Sequence, residues 1–302
     1  MKSFESFLAR GKRLCQTKLL TPVVRIWEQI EWCYFRITNP NCLLGHPPRH
    51  QVGATLESYR PVFDRLSTIG LCPVDTYVVD VKRYSAYLDT ALYPKGAYGK
   101  YFCEKTLEHF ISFEFLDLSS TDLYLDVASA VSPFAQIAMR LYGCRVIWQD
   151  LRFPQGHMNA SGVVSNAAYL PLAPESVDKM ALHCSFEHFE GDADFSFMSE
   201  AARCLRPGGK LVILPLYQDT SDCILTHFKA SRQGLQITQG FPLRYVPGAY
   251  RERHMRFYSP ETFTSRILAH VPQLDLKLYV VQNPEQVDPR CYVRFVAVFR
   301  KV

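Results

Sequence analysis

Asp126 closes the apolar run LYLDV and Asp150 closes a second, CRVIWQDL, 24 positions later. Acids ending two neighbouring strands stand where a doubly wound sheet binds nucleosides, at the carboxyl edge where the strand order reverses. Further on, SFEHF puts His188 just past another apolar run, and His254 lies within RERHMRFYS. An imidazole at either place can take a proton from a nucleophile. His183, inside the run SVDKMALHCS, is expected to be packed as core. Arg251, Arg253 and Arg256 surround His254, and two readings of them stay open: they grip an acidic or phosphorylated acceptor, or they pair with neighbouring acids on a solvated loop.

These residues need a frame. After the first acid come ASAVS and PFAQIAMRLYG, where Ser132 can cap a helix, Pro133 suits its first turn and Gly143 supplies a left-handed stop. Strand 176–185, then a helix, a Pro-Gly-Gly turn and a strand within FMSEAARCLRPGGKLVILPLY continue the alternation. Such alternation requires crossover connections and a largely parallel sheet. LDLKLYVV and CYVRFVAVF, after the helix PETFTSRILAH, suit an antiparallel edge pair. The expected fold class is therefore α/β, doubly wound, with a mostly parallel seven-stranded sheet, an antiparallel C-terminal pair and a helical N-terminal extension.

In order and spacing these residues resemble class I S-adenosylmethionine-dependent methyltransferases of the type 11 branch, strongly over about 120–217 and more weakly over 254–300. The family's acid-x-Gly-x-Gly-x-Gly motif corresponds to Asp126 through Ser132, with Ala128, Ala130 and Ser132 standing at the glycine places. Its second-strand acid matches Asp150, and its Asp-Ala-x-x-Leu-Pro stretch matches Asn166-Ala167-Ala168-Tyr169-Leu170-Pro171. Its Glu-His pair matches Glu187-His188, and its Glu-x-x-Arg-x-Leu-x-Pro-Gly-Gly run matches Glu200, Arg203, Leu205, Pro207, Gly208 and Gly209. The resemblance implies S-adenosylmethionine as cofactor, held by Asp126, Ala128, Ala130, Ser132, Asp150, Leu151, Asn166, Ala167 and Ser185. It implies methyl transfer to oxygen or nitrogen of a small molecule, with His188 and His254 as catalytic candidates. The alternative is a non-catalytic member using the fold for binding or assembly, since alanine at a positive φ costs about 1–2 kcal/mol. Asn166 keeps a carbonyl acceptor for an adenine amino group but carries no charge. A nicotinamide site would need Gly-x-Gly-x-x-Gly after the first strand, which is absent.

The 302 residues carry 34 Lys and Arg against 29 Asp and Glu, an excess of five that does not indicate nucleic-acid binding. Ten cysteines without a close pair read as free thiols in a reducing compartment, with no metal site, so a cytoplasmic protein is expected. Through residue 37 the chain holds seven basic and three acidic residues among apolar positions at helical spacing. Two helices are expected there, the first over Phe4–Leu19 and the second from Thr21-Pro22 to Ile37. They either rest on anionic lipid or cover the catalytic domain or a second subunit of a homodimer. The divisions expected are an amphipathic segment and connector at 1–53, a helical cap or lid at 54–120, and the main domain at 121–302. An insertion at 218–258 is expected to cover the acceptor.

Overall fold

The computed structural model describes residues 21–40, 55–70, 74–151, 162–229, 234–246 and 253–302. The expected helix over Phe4–Leu19 and most of the connector lie outside them. The helices are α1 (Thr21–Thr38), α2 (Arg60–Ile69), α3 (Val81–Ala91), α4 (Phe102–Leu116), α5 (Phe134–Tyr142), α6 (Ala193–Cys204) and α7 (Pro260–Arg266). The strands are β1 (Val74–Tyr77), β2 (Leu123–Val127), β3 (Arg145–Asp150), β4 (Gly162–Val164), β5 (Val177–His183), β6 (Leu205–Leu214), β7 (Cys223–Thr226), β8 (Leu243–Tyr245), β9 (Met255–Phe257), β10 (Leu274–Val281) and β11 (Phe295–Lys301).

The main sheet runs β1-β10-β11-β6-β5-β2-β3-β4, with β11 antiparallel to both of its neighbours. Chain order reverses between β2 and β5, which places the switch point beside Asp126. The α/β class stands, with eight strands instead of seven. Val74–Tyr77 adds the eighth by pairing parallel with β10, so it supplies the edge that β10 and β11 were expected to form. The run TYVVDV at 76–81 suggests a short strand there, but the strand ends at Tyr77. Asp80 instead accepts from the amides of Lys82 and Arg83 and starts α3.

Gly143 takes a left-handed φ of 68° after α5, and Ser132 Oγ accepts from the Phe134 amide at 3.2 Å, both as the sequence requires. One core lies on each face of the sheet. Phe197, Met198, Ala201 and Phe263 fill one, and Leu107, Ile111, Phe134 and Ile137 fill the other. The insertion builds a second sheet, β8-β7-β9. On it rests α1, whose Phe35 packs against Phe228 and Tyr245. Ile26, Ile30, Tyr34 and Ile37 form the opposite, exposed stripe of α1. Among the described residues no helix is long and apolar enough to cross a membrane, and the cysteines are free.

Candidate functional site

The turn after β2 departs from ordinary alanine geometry. Ala128 and Ala130 have φ values of 51° and 47°, the left-handed conformation natural to glycine. Strand β3 holds the turn there. The Ala128 amide donates to Gln149 Oε1 at 3.1 Å, Ser129 N donates to the Gln149 carbonyl at 3.0 Å, and Ala130 N donates to Asp150 Oδ2 at 2.9 Å. The backbone at Ala128 and Ala130 thus takes glycine's conformation, and the side chains at the three glycine places are no larger than a methyl or hydroxymethyl group.

Asp126 lies beneath this turn, fully buried. Tyr124 donates to its Oδ1 at 3.0 Å, and His183 Nδ1 stands 3.8 Å from the same oxygen. Oδ2 has no hydrogen-bond partner. Burial pushes the Asp126 carboxyl up to about 7 against the bond from Tyr124, and Asp150 adds to the rise. His183 is packed as core against Phe134 and His109, and burial lowers it to about 3, with Lys105 adding. The tyrosines before α4 mostly pack, yet Tyr98 reaches the turn: its hydroxyl lies 2.9 Å from Ser132 Oγ and 3.3 Å from His109 Nε2.

Around Asp150 the surface is apolar. Val131, Leu151, Val164 and Tyr169 are 63 to 75 % exposed. They belong to the carboxyl ends of β2, β3 and β4 and to the loop that follows, where Val164 is in register with Asp150. Large side chains left bare together mark a place for a flat apolar ligand. Asn166 Oδ1 accepts from Ala168 N at 3.0 Å, which fixes a local turn with Asn166 exposed and Ala167 buried beneath it.

At the end of β5 the two catalytic candidates come together. His188 Nδ1 donates to the His254 carbonyl at 2.5 Å, and His254 Nδ1 donates to the Glu187 carbonyl at 2.9 Å. His254 is buried and its Nε2 has no partner. Burial lowers its pKa to about 4, with Arg256 adding. His188 is exposed, with Nε2 3.6 Å from Glu187 Oε1. The arginine question is settled for two of the three. Arg253 pairs with Glu190, and the fully buried Arg256 pairs with Asp194 and donates to Gly191 O at 2.6 Å. Arg251 lies outside the described residues. The described arginines are structural, because the insertion must be tied to α6.

One group of residues went unseen in the sequence. On α4, Glu104, Lys105, Glu108 and His109 face inward toward Cys184, Tyr217 and Tyr292. The signal was there: four ionisable groups fall within six residues of a helix rich in apolar positions.

Comparison with known proteins adds the following. Residues 125–213 match the family described as "Methyltransferase domain". A Burkholderia thailandensis structure, 1,6-didemethyltoxoflavin-N1-methyltransferase with S-adenosylhomocysteine bound, is 15% identical over 76% of this chain and 94% of its own, with a TM-score of 0.45. A putative methyltransferase of Bacillus halodurans is 16% identical over 65% of this chain and 97% of its own, with a TM-score of 0.41. The YcgJ protein of Bacillus subtilis is 16% identical over 37% of this chain, which spans about half of that protein (51%), with a TM-score of 0.33. No curated protein matches. The β2 turn and Asp150 lie within this matched segment, which is similar to a methyltransferase domain.

Proposed function

We propose that this protein transfers the methyl group of S-adenosylmethionine to a nucleophile on a small molecule. The observation that carries the reading is the turn at 128–130, held by β3 in glycine's conformation although alanine resists it. A chain that no longer used this site would have no reason to keep the strain. The unpartnered Asp126 Oδ2 and the bare apolar rim around Asp150 fit an adenosyl group that carries an amino acid.

In this reading Asp126, Ala128, Ala130, Ser132 and Ser185 hold the amino-acid end, and Asp150 takes the ribose hydroxyls. Leu151, Asn166 and Ala167 border the base. The cofactor supplies a methyl carbon already activated by a sulfonium. What remains for the chain is to align a nucleophile with that carbon, exclude water and accept a proton. His254 and His188 can accept it, because each donates from Nδ1 to a carbonyl and so leaves Nε2 as the basic nitrogen.

Calorimetry with S-adenosylmethionine and S-adenosylhomocysteine tests this directly. Saturable binding of both is expected. Absence of heat at millimolar cofactor would overturn it in favour of a non-catalytic binding or assembly module, the reading that alanine at the glycine places favours.

A further inference from the structure

Building on the methyltransferase reading, we infer that the methyl acceptor is an amine, received as a cation by the carboxylates gathered between α4 and the ends of β5 and β6. Glu104, Glu108 and Glu187 are 1, 0 and 3 % exposed; Lys105 lies among them, and Arg294, paired with Glu285, also acts on Glu104. Glu108 is satisfied. Lys105 Nζ lies 3.2 Å from both of its oxygens, and the Cys184 thiol donates to Oε1 at 3.1 Å. Glu104 receives the Tyr292 amide at 2.7 Å on Oε2 only. Glu104 Oε1 and Glu187 Oε2 have no hydrogen-bond partner.

Acids in a dry place stay charged only beside positive charge and otherwise take up protons. Burial pushes Glu104 well up, with Glu108 adding, and pushes Glu187 up as well. What the cluster lacks is positive charge and N–H donors. An ammonium brings both, whereas a hydroxyl acceptor brings one donor and no charge. An anionic acceptor would meet the wrong sign, since Arg253 and Arg256 are engaged by Glu190 and Asp194.

The chemistry balances. The ammonium gives one proton to Glu104. Its nitrogen lone pair then forms the N–CH3 bond as the S–CH3 bond breaks, and that bond's electron pair stays on sulfur as a neutral thioether. The positive charge now on nitrogen is relieved by a second proton, which passes to Glu187 and on to His188 Nε2, 3.6 Å from Glu187 Oε1 and open to water.

The test uses the whole chain and methylammonium chloride, the smallest cation of this class. At equal ionic strength and about tenfold excess over its Kd, methylammonium should raise the melting midpoint by about 2 °C over sodium chloride. Methanol and sodium acetate should not. The isosteric double variant Glu104→Gln/Glu187→Gln should melt no lower than the parent and lose the methylammonium effect. A parent that responds equally to sodium, or a double variant that keeps the effect, would overturn the inference. Calorimetry with S-adenosylhomocysteine on the same samples separates the two ideas: cofactor binding without a methylammonium effect rejects the amine alone, and the converse rejects methyl transfer alone.

Discussion

His188 and His254 are joined through the main chain: the His188 ring donates to the His254 carbonyl at 2.5 Å, while the His254 ring donates to the Glu187 carbonyl at 2.9 Å. Neither ring can turn without giving up a bond, so both tautomers are fixed. His254→Asn keeps a donor near the Glu187 carbonyl and removes the basic nitrogen. If His254 takes the proton, turnover should fall by about 10²–10⁴ with little change in melting. Lowered to about 4 by burial and Arg256, His254 stays neutral down to that pH. Its protonation should therefore put the acid limb of kcat near 4, and a limb near neutrality would assign the proton to another group.

The strained turn predicts an unusual gain. Ala128→Gly and Ala130→Gly each relieve a positive φ, so each should stabilise the fold by about 1 kcal/mol in urea titration, after allowing for glycine's greater freedom when unfolded. Cofactor affinity should be equal or better. Ala130→Val, with a branched Cβ where none is tolerated, should lower both.

Asp126 carries a burden that depends on pH. Its folded pKa is about 7, above the ordinary 3.8. Below about pH 4 the carboxyl is protonated in both states and costs nothing. As pH rises toward 7 the unfolded chain ionises first, so stability falls, by an order of 4 kcal/mol once both are ionised. Asp126→Asn should therefore melt like the parent at pH 4 and higher than it at pH 8, while binding S-adenosylhomocysteine more weakly. His183 works in the other direction, because its depressed value of about 3 removes stability as pH falls from 6.5. Melting curves of the parent and Asp126→Asn across pH 4 to 8 check the sign.

Removing residues 1–38 strips α1 from the small sheet and bares Phe228 and Tyr245. Aggregation of the shortened chain is expected in light scattering. The outward stripe of Ile26, Ile30, Tyr34 and Ile37 calls for a separate measurement on the full chain, sedimentation with anionic vesicles. Cosedimentation lost on Ile26→Ser/Ile30→Ser would assign that face to lipid, and its persistence would not.

The parallel strands, α5 with its stop at Gly143 and the acids Asp126 and Asp150 were legible because each is written locally, as an apolar run, a cap or a left-handed residue. Val74–Tyr77 was harder to place, since four residues of mixed burial look like any loop until β10 lies beside them. The inward-facing charges of α4 could be seen as a cluster in the sequence, but not what they face. Only the folded chain brings Cys184, Tyr217 and Tyr292 against Glu104 and Glu108. Arg256 misled in the opposite direction: its charge pointed to a ligand, but its partner Asp194 is 62 positions away in sequence and next to it in space.

The position of β11 sets the order in which the molecule can be completed. Phe295–Lys301 is threaded between β6 and β10, so β10 and the β1 strand beyond it have nothing to dock on until this strand has been synthesised. A premature stop ahead of this strand would do more than shorten a tail. It would open the sheet at its middle and leave two bare edges in every nascent chain.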